Sequence, residues 1–173
     1  KGREIARKLK VDLWQVAAVQ TLAQNERYPL LITSLDQTRL DDVAADTLHA
    51  PHADQARLGF AIAHLLDGSA PAPQDLGADQ LAQATRWAEL LGNAKKPLII
   101  AGSGARSQAL IEAASNIAHA LKGRGQTVEL ALVAQEANSL GLAMLASNAA
   151  PLEAALERIE GSESLALITL END

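Results

Sequence analysis

The stretch Pro97-Leu98-Ile99-Ile100-Ala101-Gly102-Ser103-Gly104 decides the fold. An apolar run with β-branched residues, held between a proline and a glycine, has the length and branching of a strand buried in a parallel sheet. Immediately after it, residues 107–122 place Leu110, Ala114, Ile117 and Leu121 at helical spacing, with Gly123 closing the helix. Before it, Leu81, Ala84, Ala88 and Leu91 mark one face of another helix, which starts at Asp79 and ends at Gly92, a residue type suited to a left-handed exit. The local order is helix, strand, helix.

The same alternation extends in both directions. Toward the amino end, Pro29 opens a short strand over Leu30 to Thr33 with Asp36 at its carboxyl end, and Thr47-Leu48-His49 reads as a second strand. Pro51 and Asp54 then precede an apolar helix ending at Asp67-Gly68, and residues 69–73, with two prolines, form a linker no helix crosses. Residues 3–24 read as two helical stretches broken near Val11-Asp12. Toward the carboxyl end a strand covers Val128 to Val133, and residues 138–146 are ambiguous. Asn148 and Pro151 supply a cap and first-turn proline for a helix with Leu152, Leu156 and Ile159 inward and Gly161 beyond its end, and Leu165 to Leu170 is the last strand. Such alternation implies a Rossmann-like three-layer αβα architecture, with a mostly parallel sheet and helices on both faces. Residues 1–173 are expected to form a single α/β domain, with 1–27 as a helical lead-in.

Composition narrows the function classes. Apolar residues make up 48% of the 173 residues, and the aromatic ones are confined to Trp14, Tyr28, Phe60 and Trp87. The core is therefore expected to consist of Ala, Leu, Ile and Val, which suits helices packed closely on a sheet. The length suffices for one compact domain. A net charge of −6 with scattered Lys and Arg leaves no footprint for a phosphate backbone, so no nucleic-acid partner is expected. Without cysteine the chain makes no disulfide and no thiolate cage for zinc or an iron-sulfur cluster. No apolar stretch approaches the roughly 20 residues of a membrane-spanning helix, and no signal-peptide layout opens the chain. No direct membrane insertion and a cytoplasmic location are expected. Lys1-Gly2 in mid-helix and Glu171-Asn172-Asp173 straight after an apolar strand read as cuts from a longer polypeptide.

Several residue groups invite a chemical reading. Gly102-Ser103-Gly104 lies between strand and helix, where dinucleotide folds bind phosphate. The third glycine position holds Ser107, however, and Glu129 begins the next strand rather than ending it, so the ribose-binding acid is out of place. The alternative is that Gly102 and Gly104 make a tight strand-to-helix turn. His49 and His52, with Asp46 and Asp54, are metal-ligating residue types. Pro51 between the histidines, in extended chain, keeps their side chains from having to share a face, and no sulfur or third histidine is near. His64 and His119 each stand alone in apolar helices. Ser103 and Ser107 lack the flanking glycines of a nucleophile elbow and read as helix-capping serines. Asp41 and Asp42, adjacent in a helix, would point about 100° apart and cannot pair as acid and base, so they read as a solvated helix start. Lys95, Lys96, Lys122 and Arg124 lie where they complement helix ends and solubility. No catalytic, cofactor-binding or metal-ligating residue is expected in this chain.

Three stretches together resemble the molybdopterin-dependent oxidoreductases: Leu35-Asp36-Gln37-Thr38-Arg39 with residues 43–51, Asn138-Ser139-Leu140-Gly141, and Leu170-Glu171-Asn172. More narrowly, DQARLGFAIAHLLDGSAPA (54–72), AKKPLIIAGSGARS (94–107), ALKGRG (120–125), NSLGLAMLA (138–146) and LEND (170–173) as a set resemble the large-subunit branch of that family in bacterial NADH-quinone oxidoreductase, respiratory complex I. The resemblance implies a molybdopterin-type domain without molybdenum, with no cofactor in this segment and iron-sulfur clusters elsewhere in the full-length subunit. It implies other complex I peripheral-arm subunits, and the rest of its own chain, as partners. Cofactor-binding relatives have Asp-Pro-Arg where this chain has Asp36-Gln37-Thr38, with Arg39 placed to restore a charge, and Gly-Thr-Asp where it has His52-Ala53-Asp54. A residue other than glycine removes space beside a phosphate. The resemblance therefore implies a structural, non-catalytic segment that supports electron transfer from NADH to quinone. Two alternatives stay open: a nucleotide- or pterin-binding redox domain using Asp36 and the Gly102 turn, and the central domain of a thiamine-diphosphate enzyme, which AKKPLIIAGSGA also resembles.

Overall fold

The structure is a computed structural model, and it describes residues 2–23, 27–145 and 152–161. It divides into two compact units, residues 1–133 and residues 134–173. Strand Leu165 to Leu170, the Leu170-Glu171-Asn172 stretch and the Asn148 and Pro151 caps fall outside the described residues.

In the first unit, helices α1 (Gly2–Lys8) and α2 (Val16–Ala23) precede strand β1 (Leu31–Ser34) and strand β2 (Asp46–His49). Helices α3 (His52–Leu66) and α4 (Ala78–Gly92), strand β3 (Leu98–Gly102), helix α5 (Gln108–Gly123) and strand β4 (Glu129–Val133) complete it. The chain is mixed α/β with parallel strand pairing, as the alternation predicts. Among the described residues the strands join two by two: β1 pairs with β2 from Leu31–Asp46 to Ser34–His49, and β3 with β4 from Leu98–Glu129 to Gly102–Val133.

The core lies where α3 is packed between α4 and α5. Leu58, Ala61, Ile62, Ala63 and Leu66 of α3 meet Ala84, Trp87 and Ala88 of α4 and Ile117, Ala120 and Leu121 of α5. Leu31, Leu48, Ile99 and Val128 pack against the same cluster from the strands and the approach to β4. Leu58, Ile62 and Leu121 are fully buried, each contributing about 1.5–3 kcal/mol relative to exposure. The abundance of alanine has a geometric use: a Cβ placed on Gly59 would lie 2.8 Å from the Ala113 Cβ, so α3 and α5 approach closer there than any side chain permits.

Two local expectations change. Leu81 is 48% exposed and stands off the buried face of α4, where Trp87 takes the core position instead. Gly92 does not make a left-handed exit: α4 runs through it to Asn93 in right-handed conformation (φ −91°). Carbonyls at and just beyond the end of α4 are engaged from a distance, because Gln126 Nε2 donates to Leu91 O and Gly92 O of the helix and to Ala94 O after it, at 3.1, 3.0 and 2.7 Å.

Helix α5 packs on β3 and β4. Register puts Leu98, Ile100 and Gly102 on one face with Glu129, Ala131 and Val133. On that face Leu98, Ile100 and Val133 are 52%, 65% and 55% exposed.

The second unit contains helix α6 (Ser139–Leu145), which resolves the ambiguous stretch, and helix α7 (Leu152–Glu160). Leu140, Leu142, Met144 and Leu145 of α6 are exposed, as is Leu156 of α7, while Ile159 is half-buried, so the inward placement of Leu156 does not hold. Among the described residues no helix is long and apolar enough to cross a membrane.

Candidate functional site

Ligands in α/β proteins bind beyond the carboxyl ends of parallel strands, so those ends of β1–β2 and β3–β4 are the places to examine. At the first, the loop between Ser34 and β2 turns back on itself. Thr38 Oγ1 donates to Asp41 Oδ1 at 2.7 Å, the Thr38 amide to Asp41 Oδ2 at 3.2 Å, and the Leu40 amide to Thr38 Oγ1 at 3.2 Å. These bonds fold the loop back on itself just ahead of the 3-10 turn Asp41–Val43, whose N-cap, Leu40, makes no side-chain capping bond.

Asp41 also lies 2.9 Å from Nε2 of His49, and Nδ1 of that ring lies 2.9 Å from Ser34 Oγ. Ser34 Oγ is in turn 2.7 Å from the Asp36 carbonyl oxygen. The Asp41 side chain is only 10% exposed, so the solvated helix start expected for Asp41 and Asp42 holds for Asp42 alone. Hydrogen bonds from the Thr38 hydroxyl and amide, together with the nearby His49 ring, outweigh partial burial and hold the Asp41 carboxyl below its ordinary value.

Asp46, at the other end of β2, faces α4. Its carboxylate accepts from the Thr47 amide at 2.9 Å, Gln83 Nε2 at 3.2 Å, Arg86 Nη2 at 3.1 Å and Trp87 Nε1 at 2.8 Å. Burial alone would raise this carboxyl, but the bonds from Trp87, Arg86, Gln83 and Thr47 outweigh it and the net shift is downward. Asp46 thereby ties the first strand pair to the helical core.

The other proposed ligands are dispersed. His49 ends β2, whereas His52 opens α3 with Nδ1 buried and without a hydrogen-bond partner. Asp54 is held by Arg57 at 2.6 Å. Among the described residues no three His, Asp or Glu side chains converge on one point. Asp36, Gln37, Thr38 and Arg39 lie exposed along the loop.

At the end of β3, Gly102 is extended and a Cβ there would come 3.3 Å from Val133 O, so its small size serves the pairing with β4. Gly104 has open space around it. The left-handed residue of the turn is Arg106 (φ 47°), not a glycine, and Ser107 occupies the N-cap of α5 without a side-chain capping bond. The glycines therefore do not make this turn in the way expected. Of the cations, Lys96 pairs with Glu129 at 2.6 Å, and Arg124 Nη1 donates to Leu66 O at 3.2 Å, closing the end of α3.

Sequence reading passed over Ser34 and the pairing of Asp41 with His49. The Thr38-x-x-Asp41 spacing is a local signal for the turn. The contact across to His49 depends on parallel pairing, which places residue 34 beside residue 49.

The class defined so far is a parallel α/β segment whose strand-end polar groups bond to one another. Comparison with known proteins makes this specific. The chain is 80% identical over all 173 residues to the G subunit of NADH-quinone oxidoreductase from Shewanella oneidensis. It is 48% identical to the G subunit from Pseudomonas putida and 46% identical to that from Salmonella typhimurium, again over its whole length. It belongs to the family of NADH-quinone oxidoreductase G subunits and spans 19% of the length of each of these relatives. No protein-family model matches the chain.

Proposed function

We propose that this chain is a structural, non-catalytic segment of a G subunit, on the cytoplasmic peripheral arm of a bacterial NADH-quinone oxidoreductase. The observation that carries the proposal is identity along the entire chain to subunits of that name. In this reading residues 1–173 form one molybdopterin-oxidoreductase-like domain with 1–27 as its lead-in, and iron-sulfur clusters reside elsewhere in the subunit. Its partners are the other peripheral-arm subunits and the rest of its own polypeptide.

The mechanism is positional. Electron transfer between clusters needs fixed separations, and close-packed helices on parallel strands make a stiff body to hold them. Two features favour this over a retained pterin or nucleotide site. The polar groups beside β1 and β2 engage each other, and the position where cofactor-binding relatives carry glycine for close phosphate approach holds His52.

The test is to purify the whole enzyme with Asp36→Ala and Arg39→Ala in this segment. NADH-to-quinone turnover per assembled complex should match the parent, and mass measurement should find no nucleotide or pterin bound to the segment. Turnover lost in a fully assembled complex, or a copurified nucleotide released by these substitutions, would replace this reading with the cofactor-binding one.

A further inference from the structure

The contacts around Ser34 and His49 can be solved for their hydrogens. Ser34 Oγ has one hydrogen, and its neighbours are the Asp36 carbonyl oxygen at 2.7 Å and His49 Nδ1 at 2.9 Å. A carbonyl oxygen only accepts. On the other side of the ring, the ionised Asp41 carboxylate also only accepts, so His49 Nε2 carries a hydrogen across the 2.9 Å contact. If the ring is neutral, that is its sole N–H. Nδ1 then needs the Ser34 hydrogen, and Ser34 Oγ is left against the Asp36 carbonyl with no hydrogen between them. If the ring carries both protons, Nδ1–H donates to Ser34 Oγ, Ser34 O–H donates to Asp36 O, and Nε2–H donates to Asp41. Every contact is then satisfied, and the two Thr38 bonds to Asp41 keep the shared proton on the ring.

Neighbouring charged groups are engaged elsewhere. From β1 the ring meets the neutral Ser34, and from the 3-10 turn it meets Asp41. On its own strand Asp46 is directed to Gln83, Arg86 and Trp87. From α3, Asp54 is taken by Arg57, and His52 has its Nδ1 buried without a partner.

We propose that Ser34, His49 and Asp41 form a proton-operated clasp that fastens the loop of residues 35–45 over the ends of β1 and β2. The signs follow from the charges. The clasp is closed while the ring holds its second proton and loosens when that proton is lost at higher pH. Acidification that protonates Asp41 also releases it, because the attraction to the ring then disappears. The depressed acidity range of the Asp41 carboxyl extends the closed interval on the acid side. The clasp needs only the geometry of this segment, whatever enzyme contains it.

Backbone hydrogen–deuterium exchange, read by mass spectrometry on the full-length polypeptide and corrected for the intrinsic pH effect, tests it. Amides of residues 35–45 should exchange about three-fold or more slowly near pH 5.5 than near pH 8. His49→Gln and Asp41→Asn, the second of which keeps the ring and the side-chain shape, should each abolish that difference, while His52→Gln should retain it. Amides of residues 113–121, in the core helix, serve as the internal check that each variant is folded, and the parent protein alone already decides the first comparison. Equal corrected rates at both pH values in the parent, or a difference that survives His49→Gln or vanishes with His52→Gln, would overturn the proposal.

Discussion

Asp46 gathers the Thr47 amide, Gln83, Arg86 and Trp87 on one carboxylate. Removing it strands a buried indole N–H, so Asp46→Ala should lower unfolding stability by about 1–3 kcal/mol in urea titrations at neutral pH. The folded carboxyl is held below its unfolded value, so its contribution is present above the ordinary carboxylate range and fades as pH falls through the folded value. The gap between parent and variant should accordingly narrow on acidification below the ordinary carboxylate range. Gly59 makes a different demand. Gly59→Ala forces a methyl within 2.8 Å of the Ala113 Cβ and should cost about 1–3 kcal/mol. Adding Ala113→Gly should recover part of that loss, a coupling that thermal unfolding of the two single variants and the double variant would measure.

The elements themselves were largely legible, because each strand and helix of the first unit carries its own period and its own punctuation. Pro97 and Gly102 bracket β3, and Ala114, Ile117 and Leu121 point α5 inward as their spacing requires. Less legible were features set by other parts of the chain. Nothing near Gly92 announces that Gln126 closes the end of α4, so a glycine there suggests the wrong exit. Nothing within residues 103–107 announces that Arg106 takes the left-handed position. The candidate site divides in the same way: the Thr38–Asp41 turn is local, whereas Ser34 and Asp41 reach His49 only after β1 and β2 pair. The Gln126 amide can be tested directly. Its nitrogen faces carbonyl oxygens, so Gln126→Glu, which aims a carboxylate at them, should destabilise more than Gln126→Ala, itself expected to cost about 1–2 kcal/mol. Chemical denaturation of both variants gives the order.

At the scale of the molecule, Leu98, Ile100 and Val133 form an apolar sheet face that lies open among the described residues. If the segment works within a G subunit of the oxidoreductase, Ile100→Asp should leave the thermal midpoint of the segment nearly unchanged but reduce recovery of assembled enzyme, which native gel analysis of membranes would show. Unchanged assembly would mean that this face has no part in it. The meeting of Gly59 with Ala113 carries a further consequence for biosynthesis. Helix α3 leaves the ribosome about 50 residues before the helix whose methyl groups fill its groove, which at roughly 5–20 residues per second is a delay of several seconds. Until residue 113 has been synthesised Gly59 has no methyl to receive, so this closest helix–helix approach of the core is among the contacts that wait for the later helix.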